Sequence, residues 1–334
     1  MKANTLRVLR RFVLVATVPL CVLGPVGYLA KAQDQNLPPL TTTTIPPNNP
    51  LQVAILRWYP ANLTTSFGVG TGPVNVAFDG ASIWVVNQNS NNVTKLRASD
   101  GLPLGTFAVG RVPLGIAFDG ANIWVTNSGD GTITKLRASD GSTLGTFTVG
   151  ISYGGAFDGA NIWVANPDSN TVTKLRASNG SILGTFAAGT SPVNVAFDGA
   201  NIWVVNQNSN NVTKLRASDG STLGTFAVGT DPIDLAFDGA NIWVTNALNN
   251  NVTKLRASDG LTLGTFAVGV FPAGVAFDGV NIWVANQNST VTKLKASNGS
   301  NLGTFSVGLG PLRLAFDGAN IWVTNGGSNT VSKL

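Results

Sequence analysis

This 334-residue chain is expected to be all-β, a seven-bladed β-propeller of four-stranded antiparallel blades, on three observations. The stretch AFDGANIWVTN, at residues 117–127, occurs seven times with small changes; its aspartates, Asp79, Asp119, Asp158, Asp198, Asp238, Asp278 and Asp317, are spaced by 40, 39, 40, 40, 40 and 39 residues. A period of that length marks a repeat architecture in which each unit buries its apolar faces against its neighbours. Within each unit the apolar runs are short, β-branched and aromatic, with no apolar spacing of 3.6 over more than a turn or two, so strands are expected and helices are not. The third observation is that the last copy stops mid-unit, while a fragment matching the missing part precedes the first copy.

The copy over residues 112–150 illustrates the unit. PLGIAF (113–118) is a short inner strand, a, and Asp119-Gly120-Ala121-Asn122 a hairpin turn whose Gly can take positive φ. IWVT (123–126) is strand b, residues 127–131 a loop, and TITKLR (132–137) strand c. ASDG (138–141) makes a second turn into strand d, TLGTFTV (143–149). In strand b, Ile123 and Val125 face one way and Trp124 the other, so both faces need cover. Units stacked face to face supply it, and a closed ring leaves few exposed strand edges. A β-solenoid would require end caps that the sequence lacks.

Ring closure can be anticipated as well. Residues 330–334 lie within strand c of the seventh copy, so that blade lacks its strand d. LTTSFGVG (63–70) matches strand d and has no a–b pair before it, so it should complete the last blade. Residues 53–57 also resemble strand c, leaving two candidates for one slot: 53–57 or 330–334.

Residues 1–32 read as a signal peptide: Lys2, Arg7, Arg10 and Arg11 precede an apolar run over 12–30 that ends in Ala-Lys-Ala. The alternative is an uncleaved membrane anchor, the only membrane contact expected. Residues 33–50, QDQNLPPLTTTTIPPNNP, are a Pro/Thr-rich disordered linker, and 51–334 the propeller. Residues 1–32 hold five of the 21 Lys and Arg and none of the 16 acids, which leaves 16 of each beyond them. A chain so balanced has no excess field to draw nucleic acid. The expected location is outside the cytoplasm, in the periplasm, at the cell surface or extracellular, and the expected state is a monomer.

Beyond Cys21 there is no Cys, and the chain has no His and no Glu. Conventional zinc, haem and iron–sulfur sites and His-based triads are therefore excluded. No cofactor is expected, with Ca²⁺ held by Asp231, Asp234 and backbone oxygens as the one alternative. Nearly all other aspartates fall in Asp-Gly turns and read as turn formers. Trp84, Trp124, Trp163, Trp203, Trp243, Trp283 and Trp322 read as inter-blade core rather than a carbohydrate platform. Lys-Leu-Arg in each strand c reads as a solvated edge with its stems on apolar surface. Asn-Val-Thr at Asn92, Asn211 and Asn251 reads as polar loop rather than glycosylation site.

The unit xPxGVAFDGxNIWVTNxxxNTVTKLRASDGSTLGTFAVG resembles the YVTN repeat of bacterial and archaeal β-propellers, with IWVTN in place of YVTN and TVTKL in place of TVSVID. The resemblance covers about residues 53–334. It implies a seven-bladed, exported or cell-surface protein, related in shape to NHL and streptogramin-lyase-like propellers. Streptogramin lyases rely on a His general base and a divalent metal, a site that a chain without His or Glu cannot reproduce. The ASDGSTLGTF turn is also similar to the quinoprotein dehydrogenase repeat, but that strand ends in Trp where this chain has Phe107 and Phe147.

Alternating strands place the d–a and b–c loops at one end of the ring and the a–b and c–d turns at the other. The second end is nearly uniform, FDGAN and ASDGS. The first varies: Thr71-Gly72, Arg111-Val112, Ile151-Ser152-Tyr153, Thr230-Asp231, Val270-Phe271 and Leu309-Gly310 stand at equivalent places, as do Asn75, Gly115, Asn194, Asp234, Gly274 and Arg313 in strand a. The variable end is the candidate binding face, with Asn75, Arg111, Tyr153, Asn194, Asp231, Asp234, Phe271 and Arg313 as its contacts. Two functions follow: a non-enzymatic binding or scaffold module for a protein or cell-surface polymer, or an Asp- or Ca-dependent hydrolase or lyase at the mouth of the central channel. The enzyme would need several Asp converging there, at least one with a raised pKa.

Overall fold

The computed structural model describes residues 65–334, which belong to one compact unit. The expected signal peptide and linker, and residues 53–57, lie outside the described residues. The seven four-stranded antiparallel sheets follow chain order with one exception. Blade one comprises a (Pro73–Phe78), b (Ser82–Asn87), c (Asn92–Arg97) and d (Pro103–Ala108). Blade seven comprises a (Pro311–Phe316), b (Ile321–Asn325) and c (Thr330–Lys333), completed by Ser66–Gly68 as d, with Phe67 opposite Val331. Residues 330–333 thus fill the strand c slot, and the chain closes the ring as expected. Strand a of each blade touches strand a of the next, and blade seven touches blade one. The sole helical element among the described residues is a 3-10 turn at Ala247–Asn249.

The core is not inside blades but between them. Trp84, Val86 and Val93 of blade one pack with Ile116, Ile123, Val125 and Leu136 of blade two. Seven such clusters exist, the last joining Trp322 and Val331 to Ile83, Val85 and Leu96 across the closure. Every repeat Trp is at least 92% buried, since even Trp283 is only 8% exposed.

Six of the seven interfaces are held by the same complete polar relay. In blade one, Asp79 Oδ1 accepts the turn N–H groups of Ala81 (2.9 Å) and Ser82 (2.6 Å), and Oδ2 accepts Trp84 Nε1–H at 2.7 Å. Lys95 Nζ lies 4.9 Å from the Trp84 ring centroid and donates to the Ala138 carbonyl of blade two at 2.6 Å. The strand c lysines are therefore not a solvated edge. Lys95, Lys135, Lys174, Lys214 and Lys254 are all 8% exposed or less. A desolvated ammonium survives there because an indole face, a carbonyl and a nearby carboxylate replace water. Lys293 of blade six faces Trp283 at 4.5 Å, but among the described residues it has no such carbonyl. Strands c and d of blade seven come from opposite ends of the chain, so no c–d turn joins them to offer one.

The uniform end is explained by two demands. Asp in the a–b turn serves the relay. Gly in the c–d turn serves packing: Gly220 has φ +76°, and a Cβ there would lie 2.0 Å from the Phe186 ring of the preceding blade. That ring in turn lies against Trp163, centroids 5.3 Å apart. Gly199 of an a–b turn also has positive φ, +98°, but open space around its Cβ position.

Gly220→Ala should therefore cost about 2 kcal/mol or more, through both overpacking and backbone strain. Gly199→Ala should cost about 1 kcal/mol, through strain alone. Urea unfolding of the two variants checks this; equal midpoints would contradict the ring-over-glycine contact. Asp198→Ala, which strands the Trp203 indole N–H and two turn amides, should cost about 2–4 kcal/mol in the same assay.

Candidate functional site

The candidate site lies where the inner strands begin. Strand a starts with Pro in six blades, and the next residues line the central channel. There they enclose a cavity of about 250 Å³ bordered by Val74, Leu114, Val193, Ile233, Ala273 and Leu312, one residue from each of six blades. Blade three contributes Tyr153 and Gly154 instead. It lacks the Pro, and its strand a is only Gly155–Phe157. Tyr153 can therefore use the amide that Pro would lack, donating to Ala165 O at 2.9 Å, while Gly154 N–H crosses to Val193 O of blade four.

Of the eight residues expected at the face, Asn75, Tyr153, Asn194 and Arg313 line this cavity. Most of the inner-ring side chains are also bridges between blades. Asn75 Nδ2 donates to Leu114 O at 3.0 Å, and Asn194 Nδ2 donates to Asp234 Oδ1. Asp234 Oδ2 accepts Val275 N–H at 3.0 Å from blade six. Arg313 Nη1 reaches back from blade seven to Ala273 O at 2.6 Å and also meets Leu312 O at 3.3 Å. Glycine appears where a neighbour needs the room: a Cβ on Gly154 would sit 1.9 Å from Asn194 Oδ1, and one on Gly115 2.0 Å from Tyr153 O.

Asp234 is only 5% exposed, so it belongs to the wall and not to the exposed face. Its oxygens take N–H donors from Leu235, Val275 and Asn194, and Arg313 Nε lies 3.7 Å from Oδ2. Burial pushes its carboxyl above the usual range, against the pull of Arg313 and the hydrogen bonds. Among the described residues no aspartate lines the cavity: Asp234 meets it only through Asn194 and Arg313, and its own oxygens are engaged. Asp231 lies in the loop above, where its Oδ1 accepts Gln207 Nε2–H at 2.8 Å. Among the described residues no group of three or more His, Cys, Asp or Glu could hold a metal.

Arg111 and Phe271 sit on the rim, Arg111 exposed and Phe271 half-buried. The residue before the strand a Pro is left-handed in six blades. It is Gly72 and Gly310 in two of them, but Val112 (φ 51°), Ser191 (54°), Asp231 (57°) and Phe271 (51°) in the others. Positive φ in a Val or Phe is an outlier costing of order 1–3 kcal/mol. It is held by loop asparagines of the preceding blade: Asn91 Oδ1 accepts Val112 N–H, and Asn250 Oδ1 accepts Phe271 N–H, each at 2.9 Å. Around these loops Ile151, Leu248, Val270 and Leu309 are exposed.

Gln207 and Gln287, the first residues of two b–c loops, also line the cavity. Sequence reasoning missed them. The available signal was that this loop position holds Gln in only three blades, whereas others carry Ser, Pro, Ala or Gly.

The sequence matches no model of a known protein family and no curated protein. Among solved structures, the fold is similar to Kuenenia stuttgartiensis hydrazine synthase, with TM-score 0.71 and 19% identity over 80% of this chain and 97% of that one. A streptogramin B lyase structure gives TM-score 0.69 and 17% identity over 80% and 95%. At such identities the likeness extends to the β-propeller fold alone.

The carboxylates titrate in opposite senses. In Asp119, Asp158 and Asp198 burial alone would raise the pKa, but hydrogen bonds from Trp, Asn and turn amides outweigh it and hold the carboxyl below the usual range. Their contribution is present above the unfolded value, near 3.9, and is lost as pH falls through the folded values. Asp234 is the reverse: its contribution is full below the unfolded pKa and is lost as pH rises through the raised folded value. Between pH 4 and 7 wild-type stability should therefore fall relative to Asp234→Asn. Urea unfolding across that range checks the sign, and parallel curves would contradict it.

Proposed function

We propose that this chain is an exported propeller of the YVTN-repeat type that acts as a non-enzymatic binding module. The face carrying the d–a and b–c loops would receive a protein or a cell-surface polymer. The observation that carries this reading is the strained rim. Val112, Asp231 and Phe271 hold a conformation that glycine adopts at the same place in blades one and seven, so side chains are retained where the backbone favours none. Around them, exposed Arg111, Ile151, Tyr153 and Val270 offer the mixture of cation, aromatic and aliphatic surface suited to anchoring a partner. The opposite end, by contrast, is devoted to repeated turn and packing contacts. A hydrolase or lyase using Asp or Ca²⁺ finds less support, because no aspartate lines the cavity among the described residues and the oxygens of Asp234 behind it are engaged.

The test is retention of the full chain on arrays of cell-wall fragments, polysaccharides and peptides. Wild type should be retained by at least one class. The triple variant Arg111→Ala, Tyr153→Ala, Phe271→Gly should lose at least about tenfold in affinity, roughly 1.4 kcal/mol, with its thermal unfolding midpoint preserved. Retention by no class, or equal retention of the variant, would overturn the reading.

A further inference from the structure

The channel-mouth cavity has features that a partner resting on the rim does not explain. Its walls are a collar of aliphatic side chains, including Leu114, Ile233 and Leu312. Its one cation, Arg313, is fixed by two backbone carbonyls and faced by the Asp234 carboxylate, so the pair brings no net charge to the wall. The Arg313 Nε is buried and faces Asp234 Oδ2 at 3.7 Å, so it is not open to a ligand. Gln207 gives one of its two N–H donors to Asp231, which leaves the other and its amide oxygen for a ligand. Gln287, among the described residues, makes no side-chain hydrogen bond, and so offers both a donor and an acceptor.

The site therefore combines an apolar collar, no net charge, and amide donors and acceptors on Gln207 and Gln287. A charged ligand entering it would lose hydration without meeting an uncompensated opposite charge, which is costly. A purely apolar ligand would cover the half-buried Gln207 amide without matching it. A neutral amide supplies one acceptor and one donor together.

We propose that this cavity is a small-molecule site for a neutral, amide-bearing ligand, its apolar body held in the aliphatic collar and its amide between the Gln207 and Gln287 side chains. This site shares Tyr153 with the rim but does not require the rim to bind a macromolecule.

Saturation-transfer NMR on the full chain, with acetanilide and N-cyclohexylacetamide as probes, tests it. Both should receive transfer. N-methylacetanilide, which lacks the N–H, should bind about fivefold more weakly, the loss expected for one hydrogen bond between neutral groups. Benzoate and benzylammonium should be weaker still. Leu114→Trp, which fills the collar from a half-buried position, should abolish transfer while circular dichroism shows the wild-type fold. Arg111→Ala with Phe271→Gly should leave the probes bound, which separates this site from the rim. No transfer from either amide, equal transfer to Leu114→Trp, or a preference for benzoate would each overturn the proposal.

Discussion

The interface between neighbouring blades is the constraint on which the rest of this molecule depends. A four-stranded sheet of this composition is apolar on both faces, so no blade has a core until the next is in place. What makes the stacking specific is the relay from turn aspartate to indole to ammonium to the next blade's carbonyl. Apolar contact alone would tolerate sliding of one sheet over another. The relay does not, because a shift would strand a buried charge and an indole donor together.

That economy also accounts for the two ends of the ring. The a–b and c–d turns are uniform because each carries part of the interface: the aspartate, the carbonyl that receives the lysine, and the glycine that makes room for a phenylalanine. The loops at the other end carry less of it, and they differ. Their backbones are nonetheless pinned, since asparagines of one blade accept the loop amides of the next. The result is a face with a fixed frame and individual side chains, the arrangement that suits a preorganised binding surface.

The channel wall shows how nearly identical repeats produce an asymmetric site. One strand a position holds Asn, Gly, Asp or Arg in different blades, and each choice is matched by its neighbour. Asn194 meets Asp234, Asp234 meets Val275 N–H, and Gly274 leaves room for Leu312 O, 2.3 Å from where its Cβ would lie. Blade three departs furthest. Losing the proline and one residue turns Tyr153 toward the cavity, where the other blades present aliphatic side chains.

Fold class, blade number and ring closure were legible in the amino-acid sequence, because they depend on local turn chemistry, strand periodicity and counting. The inter-blade role of the tryptophans and the turn role of the aspartates were legible for the same reason. The strand c lysines were not: a Lys between Thr and Leu reads as an exposed edge, and only the adjacent blade supplies the indole-facing pocket and the carbonyl 2.6 Å away that make burial tolerable. The site divides likewise. That Asn75, Tyr153, Asn194 and Arg313 lie near the channel follows from their place in the repeat, whereas the pairing of Asp234 with Arg313, two blades apart, and the arrival of Gln207 and Gln287 at the same cavity were decided by closure of the ring. Contacts between repeats depend on curvature and blade order in space, and a linear periodicity carries neither.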